Sequence, residues 1–492
     1  MKKIFLLAAL AITLAACNKA DVRPVEKNDG MITLTAPLAP KGAATKALAE
    51  DGGKLKASWA VDETLAILYN LSGINYSAVA TVKSVDASGA ATIEFDVEAA
   101  TVAGTLCTVI YPASAADGAS GVQGNAELLG NQPGTLDDNL DIRVTTGSID
   151  PVTPAAGLVL DDPLLPKFAI VKFSLQDEAS NPLSAKSLAV TIGNDAFVAT
   201  PPSAASEFYL ALPAVSNETL IFSVPGDEGT SSYRSSKTSL TIEAGKYYRS
   251  TMQMTVQSDD ANYVPMGDGK KWALKNVGAS SPSDYGDYFA WGETAPYYQA
   301  GHSQDSPMKP NDWKSGKSGY NWANYAFTAD KGSTFTKYCP RNKNPMIENK
   351  YWGGSGKLDN LLVLQAADDA ATQAWGTSWR MPTSSEWEAL LATSDFTWAW
   401  VTNFNGSGNN GRLVISRKSG FEGSCIFLPA AGYREHDYLN NTGYYGYYWS
   451  SSLRTNSRGY PGDAFALYFY SGSASLKPYG RYYGLPVRPV TN

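Results

Sequence analysis

The chain has 492 residues and a formal net charge of −7, and 43% of its residues are hydrophobic and 18% charged. This is the composition of a globular protein with a large core, and the acidic balance without a long basic run argues against a nucleic-acid partner. The two histidines, His302 and His436, are too few for a multi-histidine metal site. We therefore predict no metal and no cofactor.

Residues 1–17 have the pattern of an export signal. Lys2 and Lys3 precede an apolar run over residues 4–16, which is too short to span a bilayer. The run ends in Leu14-Ala15-Ala16-Cys17, which resembles the lipobox of bacterial lipoproteins. The resemblance implies cleavage before Cys17, lipidation of its thiol, and a surface-exposed lipoprotein of the outer membrane, held to the membrane by the lipid anchor. The alternative is an ordinary cleaved signal with an incidental cysteine.

Composition divides the rest of the chain. Residues 18–45 are polar and carry three prolines, which predicts a tether. Of the 12 tryptophans only Trp59 precedes residue 260, so two kinds of domain meet there, and residues 257–262 suit a linker. We predict modules over residues 46–150 and 151–258 and a C-terminal domain over residues 263–492.

Short apolar segments separated by turn residues fill residues 46–256. They are Leu65–Tyr69, Ala78–Val82 and Cys107–Tyr111 in the first module, and Ala169–Leu175 and Leu240–Ile242 in the second. No helical period of useful length appears, and the turn spacing is typical of strands. The pattern predicts two β-sandwich modules.

Several short motifs of low specificity occur in order along these modules. They are Ala44-Thr45-Lys46-Ala47, Ser58–Glu63, Ile110-Tyr111-Pro112 and Ala244–Tyr248. Together they resemble the fimbrillin family of bacterial pilus subunits and related surface lipoproteins. The resemblance implies two transthyretin-like sandwiches, other fimbrial subunits as partners, and a protease cut at Lys46 that opens a groove for the next subunit's strand. The alternative is a pair of spacer sandwiches.

The motifs of residues 263–492 are more specific. In chain order they include Tyr263–Gly267, Asp284–Glu293, Trp379–Thr383, Phe427–Arg434 and Tyr448–Ser452. This set resembles the Fibrobacter major paralogous domain family, whose fold is similar to the C-type lectin fold as varied in formylglycine-generating enzymes. The resemblance implies an α+β domain with few helices and much ordered loop, so the whole chain is predicted to be mainly β. It also implies scaffold roles for Trp379, Arg380, Trp449 and Arg488.

Two helices are predicted in this domain. Thr383-Ser384-Ser385-Glu386 fits a capping box, in which the Thr383 hydroxyl and the Glu386 carboxylate satisfy each other's backbone N–H groups. Trp387, Leu390 and Leu391 follow on one face. The Leu and Ala content of residues 359–374 predicts a second helix.

The chemistry of the formylglycine-generating relatives is not carried by this sequence. Those enzymes use a close cysteine pair near the C-terminal end, whereas here Cys425 is the last cysteine and Cys339 lies far before it. A related iron-dependent branch needs a histidine cluster, which two histidines cannot supply. His436 lies in a stretch interpreted as an exposed polar loop. We predict that the chain is not an enzyme and requires no calcium, since the lectin calcium-loop motif is absent.

Three cysteines follow Cys17. Export exposes Cys107, Cys339 and Cys425 to an oxidising compartment. Three thiols there can form at most one disulfide within the chain. Cys339 with Cys425 is the possible disulfide, because both fall in the last third of the chain. A buried, inert thiol is the alternative for each.

Residues 433–483 are rich in Tyr, Asn, Ser, Gly and Arg, the residues that antibody paratopes favour. A strand over Ala466–Tyr470 would turn Leu467 and Phe469 inward and Tyr468 and Tyr470 outward. The alternative is that the tyrosine rings pack at the edge of the core and leave their hydroxyls in contact with water. The predicted ligand-binding residues are Tyr438, Asn440, Tyr444, Tyr445, Tyr447, Arg454, Asn456, Tyr460, Tyr468, Tyr470, Tyr479 and Tyr482.

These features predict a non-enzymatic adhesin or pilus-tip-like protein at the cell surface. Its ligand would be a carbohydrate or a host or bacterial surface protein, gripped by the tyrosines. The first alternative is a structural or anchor subunit of a fimbrial assembly. The second is a degenerate enzyme of the formylglycine-generating fold.

Overall fold

The computed structural model describes residues 22–25, 31–41, 49–51, 54–117, 121–136, 140–227, 229–258, 260, 262–296, 319–341, 345–351, 358–436, 438–455 and 462–492. Of the predicted site residues and the two histidines, Cys17, Lys46, His302, Asn456 and Tyr460 lie outside this part of the chain. None of the helices it describes is long and apolar enough to cross a membrane.

The chain divides into two compact units, residues 1–124 with 137–167 and residues 125–136 with 168–492. The strands and helix up to residue 166 are β1 (Val22–Pro24), β2 (Met31–Leu38), β3 (Ala49–Asp51), β4 (Lys54–Lys56), β5 (Thr64–Leu71), β6 (Ile74–Val85), β7 (Ala91–Glu98), β8 (Thr105–Tyr111), β9 (Ala116–Asp117), β10 (Gly121–Val122), α1 (Asn125–Leu129), β11 (Asn131–Gln132), β12 (Arg143–Ile149), β13 (Leu158–Leu160) and β14 (Leu165–Pro166). All of them but α1 and β11 belong to the first unit. The three apolar segments predicted as strands in the first module lie in β5, β6 and β8.

The first unit is built on a sheet in the order β13-β12-β8-β5-β6-β7-β2. The backbone N–H of Gly157 donates to the carbonyl of Thr35 at 2.9 Å, which brings the two ends of the sheet together around the core. Every second residue of β7 is buried, including Ile93, Phe95 and Val97. This alternation packs one face of the strand into the core and leaves the other toward solvent.

The predicted tether over residues 18–45 is wrong for residues 31–41. Strand β2 pairs with β7 along its whole length and buries Leu34, Ala36 and Leu38. Apolar and polar residues alternate in the sequence of β2, which is typical of a strand, but the prolines nearby favoured the prediction of a tether. Pro37 is tolerated because β2 is an edge strand, whose outer N–H positions need no ladder partner.

The second unit begins with a two-sheet sandwich. Its strands are β15 (Ala169–Gln176), β16 (Leu188–Ile192), β17 (Asp195–Ala199), β18 (Glu207–Leu212), β19 (Val215–Val224), β20 (Tyr233–Ile242), β21 (Tyr247–Gln253) and β22 (Thr255–Val256). The sheet β11-β17-β16-β19-β20-β22 faces the sheet β18-β15-β21, and the rings of Phe173 and Phe222 meet edge to face at 5.1 Å. The mainly β class with sandwich modules and few helices is confirmed. Because β13 and β14 pair with β12, the first unit extends to residue 167, beyond the predicted boundary at residue 150.

The C-terminal region has short sheets and long ordered loops. Its elements are β23 (Tyr263–Pro265), β24 (Lys271–Ala273), β25 (Thr328–Ala329), β26 (Thr334–Phe335), α2 (Pro345–Tyr351), α3 (Ala370–Trp375), α4 (Ser384–Leu390), β27 (Phe396–Val401), β28 (Gly411–Ser416), β29 (Cys425–Pro429), β30 (Tyr433–Glu435), β31 (Tyr438–Asn440), β32 (Gly446–Leu453), β33 (Asp463–Phe469), β34 (Ala474–Gly480) and β35 (Val490–Thr491). The three-stranded sheets are β23-β24-β35, β27-β28-β29 and β32-β33-β34.

The capping box is confirmed: α4 begins after Thr383, whose hydroxyl accepts from the N–H of Glu386 while the Glu386 carboxylate accepts from the N–H of Thr383. Trp387 and Leu390 are fully buried. The predicted helix over residues 359–374 is wrong in its first half. There the Asp359 carboxylate accepts from the N–H groups of Tyr338 and Cys339, which holds the chain in a loop.

The predicted linker packs against the C-terminal region. The Gln257 amide donates to the carbonyl of Gly423 at 2.9 Å and accepts from the N–H of Cys425 at 3.1 Å. Ala189 and Val198 of the sandwich share an apolar cluster with residues of β27, β28 and β29. The second sandwich and the C-terminal region therefore form one compact unit.

Candidate functional site

Strand register collects tyrosines on one face of the sheet β32-β33-β34. Tyr447 lies opposite Tyr468, and Ala464 lies opposite Tyr479, so these side chains point to the same side. Leu467 and Phe469, on the other side, are fully buried, which confirms their predicted inward direction. The sheet therefore separates an apolar face from a tyrosine face.

The rings form a continuous network. Tyr445 stacks on Tyr468 at 5.8 Å between centroids, and Tyr468 lies 6.1 Å from Tyr470. Tyr433 bridges to Tyr447 at 4.9 Å and to Tyr483 at 5.4 Å. We call this network the tyrosine surface, and its members are Tyr433, Tyr445, Tyr447, Tyr468, Tyr470, Tyr479, Tyr482 and Tyr483.

Exposure differs along the predicted residues. Tyr444 is 72% exposed, and Tyr438 and Tyr470 are also exposed, whereas Tyr447 is buried. Tyr445, Tyr468, Tyr479, Tyr482, Asn440 and Arg454 are half-buried. The surface thus presents ring edges and hydroxyls over a packed base, and Tyr447 serves as part of that base.

The hydroxyls are mostly held in their neutral form. Burial raises the pKa of Tyr447 to about 12, and burial likewise raises the pKa of Tyr433, Tyr468 and Tyr479. A protonated hydroxyl can both donate and accept, so these groups keep both functions at neutral pH.

Charged groups contact the network or lie on the sheet that carries it. The ammonium of Lys477 lies 4.2 Å from the ring centroid of Tyr468, a cation–π contact. The hydroxyl of Tyr482 donates to the Glu435 carboxylate at 3.0 Å. Arg454 forms an ion pair with Asp463 at 2.9 Å. The surface offers aromatic area with a few fixed charges, which suits adaptable recognition.

Sequence reasoning missed some members. Tyr433, Tyr483 and Lys477 join the network through pairing and loop packing that no local pattern reports. The doublet Tyr482-Tyr483 was the available signal, since the two rings stack at 4.4 Å.

The possible disulfide between Cys339 and Cys425 is not formed. Both are free thiols, and they lie in different apolar clusters, one with Tyr285 and Phe335 and the other with Leu413. Burial raises the pKa of Cys339 to about 11 and that of Cys425 to about 12. The buried-thiol alternative therefore describes both, and neither is poised as a thiolate nucleophile.

The expected scaffold residues differ in their surroundings. The indole N–H of Trp449 donates to the carbonyl of Phe289, and Arg380 pairs with both oxygens of Glu386. Arg488 is fully buried. Trp379 is only half-buried and borders an open cleft. In the part of the chain that the structure describes, no cluster of three or more His, Cys, Asp or Glu side chains could hold a metal ion.

No protein-family model matches the sequence, and no curated protein matches it as a relative. Among solved structures, a candidate cell adhesion protein from Bacteroides uniformis is 12% identical over 48% of this chain and 99% of its own, with a TM-score of 0.25. Another from Bacteroides fragilis is 11% identical over 49% and 95%, with a TM-score of 0.24. The minor pilin of Streptococcus agalactiae is 10% identical over 47% and 98%, with a TM-score of 0.21.

Proposed function

We propose that this chain is a non-enzymatic surface lipoprotein of the outer membrane, anchored through Cys17, that acts as an adhesin through its tyrosine surface. The observation that carries the proposal is the continuous tyrosine network built on one sheet face, in which Tyr470 is exposed. Tyrosine provides large amphipathic contact area at low entropy cost, which is why binding surfaces are enriched in it. The C-terminal region would be the binding head, a lectin-like domain of the Fibrobacter major paralogous type.

Binding is tested with the full-length chain in detergent on an array of glycans and host surface proteins. The variant combines Tyr445→Ala, Tyr468→Ala and Tyr470→Ala. The control is Tyr209→Ala, because Tyr209 is also half-buried and carries a lysine, Lys172, over its ring at 5.4 Å.

We expect saturable binding that weakens at least tenfold in the triple variant and stays unchanged in the control. Circular dichroism must show both variants folded. Equal loss in the control, or full binding by the triple variant, would place the ligand elsewhere and contradict the proposal.

The alternative, a fimbrial structural subunit, is favoured by the position of β2. This edge strand ends shortly before Lys46, and its release after a cut there would open an apolar groove along β7. The Lys41 ammonium opposes release, since it lies 3.2 Å from the Glu63 carboxylate and 3.5 Å from the ring centroid of Tyr111. Limited trypsin digestion tests the alternative: loss of residues 31–41 from the folded protein would support it.

A further inference from the structure

A cleft in the second unit lies apart from the tyrosine surface. It has a volume of about 680 Å³ and opens to solvent. It is lined by two tryptophans and by polar groups of the segment after β22 and of the loop after β24. The residues that carry the argument are Asp260, Asn262, Lys275, Ser280, Trp375 and Trp379.

The two indole rings are held in a fixed arrangement. Their centroids are 5.2 Å apart and their planes are nearly perpendicular, at 89°. Trp375 ends α3, and Gly376 follows at φ +92°, a conformation that favours glycine. The N–H of Trp379 donates to the Gly376 carbonyl at 3.0 Å, and the hydroxyl of Thr372 donates to the Trp379 carbonyl at 2.8 Å. The rings therefore need little reordering to receive a ligand.

The hydrogen-bonding state of these indoles differs from that of the core tryptophans. The fully buried indoles donate their N–H groups to the protein, as in Trp272, Trp291, Trp387 and Trp449. Within the described residues neither Trp375 nor Trp379 makes such a bond through its indole N–H. Both side chains are half-buried and neither indole N–H is among the buried groups without a partner, so these donors open to solvent and are available to a ligand.

The polar part of the lining supplies both hydrogen-bond donors and acceptors. The Asp260 carboxylate accepts from the side chain of Asn262 at 2.7 Å, which orients the amide oxygen of Asn262 away from it. The Lys275 ammonium lies 3.4 Å from the carbonyl of Ser280 and keeps further donors. The lining carries one carboxylate, Asp260, and one ammonium, Lys275, so it has no net charge that would favour a charged ligand over a neutral one.

A pyranose ring matches this arrangement, since its C–H face is apolar and its rim carries hydroxyls that donate and accept. We propose that the cleft is a saccharide-binding site, in which a sugar ring packs on Trp375 and Trp379 while its hydroxyls bond to Asp260, Asn262 and Lys275. The site is additional to the proposed tyrosine surface, none of whose members lines the cleft. Clefts with apolar walls and a few convergent polar groups are the usual form of small-ligand sites.

The test uses the full-length chain on an array of mammalian, plant and bacterial glycans, followed by calorimetric titration with the best free oligosaccharide. The variants are Trp375→Ala, Trp379→Ala and the exposed Asn262→Ala, which perturbs the fold least. The control is Trp400→Ala, another half-buried tryptophan outside the cleft, and Tyr468→Ala shows separately whether the sugar binds the tyrosine surface.

We expect each tryptophan variant to bind the oligosaccharide at least tenfold more weakly and Asn262→Ala several-fold more weakly, with Trp400→Ala within twofold of the native chain. Binding that is lost only in Tyr468→Ala would assign the sugar to the tyrosine surface and overturn this proposal while supporting the proposed function. The proposal also fails if no glycan binds, or if phosphocholine binds in place of glycans and is lost in Trp379→Ala.

Discussion

Replacement of Arg488 by methionine tests how the C-terminal region is held together. The fully buried guanidinium donates four hydrogen bonds. They reach the side-chain oxygen of Asn276 at 2.8 Å and the carbonyls of Ala273 at 2.9 Å, Leu274 at 2.7 Å and Phe427 at 2.9 Å. One side chain therefore links β24, the following loop and β29.

The magnitude follows from the acceptors left behind. Methionine fills a similar length but cannot donate, and each buried acceptor without a partner costs about 1–3 kcal/mol. Part of this cost is offset, because keeping the charged guanidinium buried also costs free energy. That cost is reflected in the pKa of Arg488, which burial lowers to about 10. We expect a loss of about 4 kcal/mol in the free energy of unfolding. At about 2 °C per kcal/mol this lowers Tm by roughly 8 °C.

Guanidinium unfolding and calorimetry of the full chain measure the effect. Arg454→Met is the matched control, since Arg454 forms one ion pair with Asp463 and the two side chains are 32% and 23% exposed. A partly exposed pair of this kind contributes about 1 kcal/mol or less. The reasoning is refuted if Arg488→Met costs less than about 1.5 kcal/mol, or no more than the control.

Lys41→Met should lower the free energy of unfolding by about 2–3 kcal/mol, because it leaves the Glu63 carboxylate without its buried partner. The control is Lys83→Met, because Lys83 forms an exposed ion pair with Glu94. If urea unfolding shows that Lys83→Met lowers the free energy of unfolding as much as Lys41→Met does, the role given to burial is contradicted. A second prediction concerns alkaline pH. Burial raises the pKa of several core tyrosines above the ordinary value of 10.0, so the folded state retains protons that the unfolded state releases. The contribution of these tyrosines to the free energy of unfolding is complete below pH 10 and is lost as pH rises toward their pKa values in the folded state. Free energies of unfolding that stay flat or rise between pH 9 and 11 would contradict this prediction. The tyrosines are Tyr288, Tyr320, Tyr325 and Tyr448.

Local patterns determined the elements of this protein. Short apolar segments separated by turn residues predicted β5, β6 and β8, and alternation of apolar and polar residues predicted β15. The capping box at Thr383 predicted the start of α4, because both of its bonds form within four residues. The outward direction of Tyr468 followed from the same two-residue period.

Tertiary structure decided which side chains meet. Register and loop packing bring Tyr433 to Tyr447, and neither depends on a pattern within one strand. The role of β2 depended on its partner β7, some sixty positions away, which outweighed the proline content of residues 18–45. Trp375 and Trp379 face Asp260 across more than a hundred positions of chain. Periodicity specifies which face of an element is buried, whereas the partner of that face is set by long-range packing that only the folded chain contains.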